Sequence, residues 1–132
     1  MNNQTKMFTS EQQRGGQTLN MLDQINATED RIRELRRSDH IFWNDPGHGW
    51  LEVKRSDLVL LGIETKISGC SYQSGDRTKV FLEEDCDASI YIEALWGKLI
   101  DSAEFQQWRT LHLKDQYRER IHIRQLPHFQ TR

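Results

Sequence analysis

The stretch HIFWNDPGHGWLEVK (His40–Lys54) decides how this 132-residue chain is read. Ile41-Phe42-Trp43 is short and apolar, and Trp50-Leu51-Glu52-Val53-Lys54 alternates between apolar and polar residues. Between them lies Asn44-Asp45-Pro46-Gly47-His48-Gly49. Alternation marks a strand, Pro fixes φ, and Gly tolerates backbone that other residues avoid. The stretch therefore predicts a hairpin with an enlarged loop. That loop sets one titratable ring, His48, beside one large aromatic, Trp50.

Downstream, Ser56 is placed to cap a short helix over 57–61, which Gly62 ends. Cys70-Ser71-Tyr72-Gln73 reads as a third strand, Ser74-Gly75-Asp76 as a turn, and Lys79–Glu83 as a further strand. Asp85 or Asp87 caps the next helix, whose apolar face is Ile90, Tyr91, Ala94, Leu95 and Leu99, with Gly97 as an interruption. Ser102 caps another, with Phe105, Trp108, Leu111 and His112 on one side, expected to reach about residue 120. Ile121-His122-Ile123-Arg124 alternates as a short terminal strand. Pro127 stops regular structure, and residues 127–132 read as loose.

Upstream, residues 1–17 are polar, contain Gly15-Gly16 and read as a flexible lead-in. Residues 18–39 read as a helical arm, with Leu22, Ile25, Ile32 and Leu35 at three- and four-residue steps. Asn26-Ala27-Thr28 weakens its middle, and Thr28 is placed to cap a second, shorter helix. The narrow stripe suits packing on its own domain or on a second copy, a homodimer through residues 18–37. The expected architecture is α+β: a core domain over residues 40–126, built as a small, mainly antiparallel sheet of three or four strands flanked by helices.

Apolar residues make up 36% of the chain and charged residues 29%, which is lean for a globule. Either the core occupies part of the chain or apolar surface is kept for a partner. The net charge of −2 hides an uneven distribution. Residues 40–98 carry six basic and ten acidic groups, whereas residues 99–132 carry six basic and four acidic. A tail with so small a basic excess (Arg109, Lys114, Arg118, Arg120 and Arg124 among it) supports at most weak nucleic-acid binding, because useful electrostatic affinity needs several phosphate contacts. No apolar run reaches the ~18 residues of a membrane span, and Met1–Lys6 lacks the apolar core of a secretory signal. Cys70 and Cys86 read as free thiols in a reducing cytoplasm.

Several constellations offer chemistry. His48 with Glu83, Glu84, Asp85, Cys86 and Asp87 supplies metal-ligating types, but without helical His spacing or paired CxxC motifs. A small metal- or ligand-binding enzyme using His48 and the 83–87 cluster is one reading. The other treats Glu83–Asp87 as a strand exit whose carboxylates oppose the dipole of the following helix. Cys70 and His48 would make a thiol–imidazole pair with Asp45 orienting the ring, if the fold brought them together. Gly47 and Gly49 are not followed by the Lys-Ser/Thr pair of a phosphate loop. Trp43, Trp50, Tyr72 and Phe81 fall in the expected sheet, where alternation sends some inward and leaves others as binding anchors. Trp96 and Trp108 are expected in the core.

The ordered strings DPGHGWLEV (Asp45–Val53), LGI (Leu61–Ile63), KIS (Lys66–Ser68), SYQ (Ser71–Gln73) and LEEDCDAS (Leu82–Ser89) resemble a group of small bacteriophage- and plasmid-borne proteins without an established activity. The resemblance runs from His40 to about Ala94 and brings no catalytic residue with it. It implies a mobile-element setting, in which small proteins lacking enzyme motifs act by binding host proteins. The expectation is a non-enzymatic, cofactor-free interaction protein of the host cytoplasm. It would inhibit a host or anti-phage defence protein (restriction, CRISPR or similar) through Asp45, His48, Trp50, Tyr72, Gln73, Glu83, Glu84, Asp85 and Asp87.

Overall fold

Strand pairing starts at the hairpin, where β1 (His40–Asn44) runs antiparallel to β2 (Gly49–Lys54), with Trp43 opposite Trp50 and Asn44 opposite Gly49. The computed structural model describes residues 20–131. The lead-in expected over residues 1–17 and the first residues of the arm lie outside that range. The chain divides into two units, one ending at Ile32 and the other beginning at Arg33. The first holds most of helix α1 (Met21–Leu35), which continues unbroken through Asn26-Ala27-Thr28 and leaves Met21, Leu22 and Ile25 exposed.

The second unit is built on a five-stranded mixed sheet in the order β3-β4-β2-β1-β5. Helix α2 (Arg55–Leu60) follows β2 directly, and Gly62, at φ 72°, lies just beyond its end. β3 (Tyr72–Gln73) pairs antiparallel with β4 (Lys79–Glu83), and β4 with β2. The turn between β3 and β4 is held by Asp76, which accepts hydrogen bonds from Ser74 Oγ, Thr78 Oγ1 and the Thr78 N–H. α3 (Ala88–Trp96) and α4 (Ala103–Leu111) follow, separated by a 3₁₀ turn at Gly97–Asp101. Ser102 caps α4 as expected, its Oγ accepting from the Phe105 N–H.

The α+β class is as the sequence implies, but the fifth strand is a departure. The helix expected to reach residue 120 stops at Leu111, and β5 (Leu113–Tyr117) pairs parallel with β1. The His112 carbonyl accepts from the His40 N–H at 2.7 Å, which starts the pairing. An unpaired β1 edge would leave a row of backbone groups without partners, so pairing outweighs local helical preference here. The expected terminal strand at 121–124 is instead a 3₁₀ turn, His122–Gln125.

Register explains where the core lies. Trp43 pairs with Trp50 and Tyr72 with Phe81, and Phe81 lies opposite Glu52, two residues along β2 from Trp50, so all four fall on one face. That face is covered by Ile121, Ile123 and Leu126, which pack on Trp50 and Phe81. The opposite face carries His40, Leu51, Val53, Val80 and Leu82; His40 Nε2 is 2.8 Å from Tyr91 Oη of α3, and its ring is edge-on to Trp108 of α4. Trp96 and Trp108 are core residues, as expected.

Residues 127–131 are not loose. The Pro127 carbonyl accepts from the Gln73 N–H, the Phe129 N–H donates to the Ser71 carbonyl, and the Phe129 ring is buried under the Arg55 guanidinium. The tail runs beside β3 because Arg55, itself buried, needs partners. It donates to Gln73 Oε1 and Glu64 Oε2 at 2.6 Å and to the Arg77 and Gln130 carbonyls.

Gly49 is fixed by space. A Cβ there would stand 2.3 Å from Phe42 Cζ and 2.6 Å from Cε2, whereas one on Gly75 would meet nothing within 4 Å. Gly49→Ala is therefore expected to cost about 1–3 kcal/mol in urea unfolding, with Gly75→Ala changing the midpoint little.

Candidate functional site

The hairpin loop is folded by its own aspartate. Asp45 Oδ1 accepts the N–H groups of Gly47 and His48, each at 2.9 Å, and the Asp45 N–H donates to the His48 carbonyl. Arg124 then closes on the same carboxylate, with Nε 2.6 Å from Oδ2 and Nη2 3.1 Å from Oδ1. Nη2 also lies 2.9 Å from His48 Nδ1. A guanidinium only donates, so Nδ1 accepts and a neutral His48 carries its proton on Nε2. The Arg124 hydrogen bonds, reinforced by the two backbone N–H groups, hold the Asp45 carboxyl well below the usual carboxylate range.

Trp50 is the floor under this arrangement. Its ring centroid is 5.2 Å from the Arg124 guanidinium carbon, 6.0 Å from His48 and 6.4 Å from Tyr72. At 1% exposure it is a packing residue, not an exposed member of the expected binding set. Its Nε1 is buried without a hydrogen-bond partner.

The acidic run meets this loop. Glu83 lies opposite Trp50 in the sheet register, and the Glu84 N–H donates to the Gly49 carbonyl. His48, Trp50, Tyr72, Glu83 and Asp85 thus line one open cleft of about 380 Å³. Cys70, Cys86 and Arg124 complete its walls. Glu83 is buried and its Oε1 accepts the Asp85 N–H, while Glu84 and Asp85 are exposed.

Glu84, Gln73 and Asp87 do not join the cleft; the exposed Glu84 carboxylate lies toward the Phe42 side of Gly49, on the other face of the sheet. Asp87 is 2% exposed; its carboxylate accepts from the Ser68 N–H, Ser68 Oγ and Ser71 Oγ, and makes no side-chain cap to α3. Gln73, 5% exposed, is held by Arg55 and the Gln130 N–H. Both are buried because each satisfies donors that the fold also buries. Asp45 is likewise buried and touches the cleft only through Arg124 and the loop.

Cys70 and His48 line the same cleft without being joined by a hydrogen bond. The Cys86 thiol contacts Cys70, and together with burial and the Glu83 carboxylate this pushes Cys86 up to about 12. A thiol so raised keeps its proton, the reverse of an activated nucleophile. Among the described residues, no group of three or more His, Cys, Asp or Glu is arranged to hold a metal ion.

Reading the sequence missed Arg124 as a residue of this site, placing it only in the alternating Ile121–Arg124 run and among the basic residues of the tail. The other tail cations are dispersed: Arg118 lies over Trp43, and Arg109 over Phe105. Among the described residues, no helix is long and apolar enough to cross a membrane. No protein-family model, curated protein or solved structure matches the chain.

The depressed Asp45 fixes the sign of a pH effect. Its contribution to stability is complete above the unfolded carboxylate pKa of about 4 and is lost as pH falls through the depressed folded value. Asp45→Asn is expected to cost about 2 kcal/mol at neutral pH, a figure discounted for the partly exposed Arg124. In urea titrations at successive pH values, that deficit should shrink below about pH 4.

Proposed function

We propose that this chain is a non-catalytic docking protein whose acidic cleft receives a basic segment of a partner protein. Following the likeness of its central block to phage and plasmid proteins, the partner is a host or anti-phage defence protein that docking inhibits. The observation that carries the reading is the state of the loop's polar groups. The Asp45 carboxylate and His48 Nδ1 are both engaged by Arg124, so the groups best suited to acid–base work hold the loop in shape instead. What remains toward solvent in the cleft is the exposed carboxylate of Asp85, beside the half-buried Tyr72. An aromatic flanked by uncompensated charge is a surface that selects a complementary partner.

The test separates docking from folding. Asp85→Lys reverses an exposed charge of the cleft and should leave the melting temperature nearly unchanged. A stoichiometric partner isolated from bacterial host extract should bind this variant at least about tenfold more weakly, equivalent to ~1.4 kcal/mol, and the loss should narrow at high salt. Equal binding by wild type and variant, or no stoichiometric partner across host extracts, would end the proposal.

A further inference from the structure

The function proposed above makes no use of the two cysteines, yet the fold places them together with care. Cys70 precedes β3 and Cys86 follows β4, so both lie at the same open end of the antiparallel β3–β4 pair, and both are exposed on the wall of the same cleft. Each is positioned by its own backbone. The Cys70 N–H donates to Ser68 Oγ at 3.1 Å, and the Cys86 N–H donates to the Glu83 carbonyl at 3.2 Å. The two segments are then tied by the buried Asp87. From beside Cys86, its carboxylate accepts from Ser68 and Ser71, which flank Cys70. Ser71 Oγ, in turn, accepts the Glu83 N–H at 3.0 Å. This network engages neither sulfur and leaves both thiols on one wall of the cleft.

We propose that Cys70 and Cys86 form a reversible dithiol–disulfide site on the cleft wall, oxidised by low-molecular-weight disulfides of the glutathione type. The Cys70 thiolate attacks one sulfur of oxidised glutathione; a Cys70–glutathione bond forms, the glutathione disulfide breaks, and one glutathione thiolate leaves. With Cys70 now in the mixed disulfide, the thiol that chiefly held the Cys86 proton is gone; Cys86 gives up its proton to solvent and attacks the Cys70 sulfur. The internal disulfide forms and the second glutathione leaves, so two protein thiols are oxidised as one disulfide is reduced to two thiols. The high Cys86 pKa keeps that thiol from reacting first, and its place with Cys70 at the same end of the β3–β4 pair makes the second step intramolecular. The bridge would fasten the segment before β3 to the β4–α3 turn, both of which line the cleft. This chemistry is independent of what the cleft binds.

The experiment equilibrates the full chain in buffers of graded oxidised-to-reduced glutathione, followed by acid quench, alkylation and intact mass measurement. Wild type should convert to a monomer lighter by two hydrogens. Cys70→Ser and Cys86→Ser, both at exposed positions, should each stop at a single glutathione adduct. Half-conversion of wild type should need at least about tenfold less oxidised glutathione than either adduct. Double glutathione adducts, disulfide-linked dimers, or a wild type that stays reduced in oxidised glutathione alone would each overturn the assignment.

Discussion

The contact between Arg124 and Asp45 is what gives the candidate site its shape. The two residues are far apart in the chain, yet they meet through two hydrogen bonds, one of 2.6 Å. On one side, the carboxylate folds the hairpin loop by accepting two of its N–H groups. On the other, the guanidinium lies over Trp50 and contacts His48. The contact thereby fastens the C-terminal segment to the loop. Ile121 and Ile123, which cover the aromatic face of the sheet, flank the same segment. An ion pair that is half exposed contributes modestly through charge alone. Its weight here comes from fixed geometry, because the same carboxylate is already committed to the loop.

The short-range features were legible in the sequence. The hairpin, the strand at Lys79–Glu83 and the Ser102 cap are each set by residues within a few positions of one another, and these agree with the structure. The meeting of the His48 loop with the acidic run rests on a longer-range pairing, because β2 and β4 pair and set Trp50 opposite Glu83. What escaped was set at long range. Alternation alone does not say which strands are neighbours, so it could not place Trp43, Trp50, Tyr72 and Phe81 on one face. Nor could it show that Leu113–Tyr117 would complete a sheet edge instead of extending a helix. The buried roles of Gln73 and Asp87 depend on Arg55, Ser68 and Ser71, whose side chains reach them only once the sheet has formed.

The same acidic run performs two different tasks. Asp87 turns inward and secures backbone, whereas Asp85 faces solvent at the cleft rim. Burial separates the two roles, and a count of carboxylates in the sequence does not. The cleft therefore presents fewer free charges than the composition suggests, and His48 is tethered on its Arg124 side. Such a surface, with a rigid aromatic floor and a charged edge, is suited to complementarity with another macromolecule. The chemistry available on its wall belongs to the thiols.

The clamp is tested most directly by hydrogen exchange at the Gly47 and His48 amides, the two N–H groups that Asp45 holds. In wild type they should exchange slowly for loop residues, and Arg124→Gln should speed both together with the Leu126 amide, while the Phe81 amide of β4 stays protected. Unchanged protection of Gly47 and His48 in that variant would contradict the account, because the loop would then hold its form without the C-terminal segment.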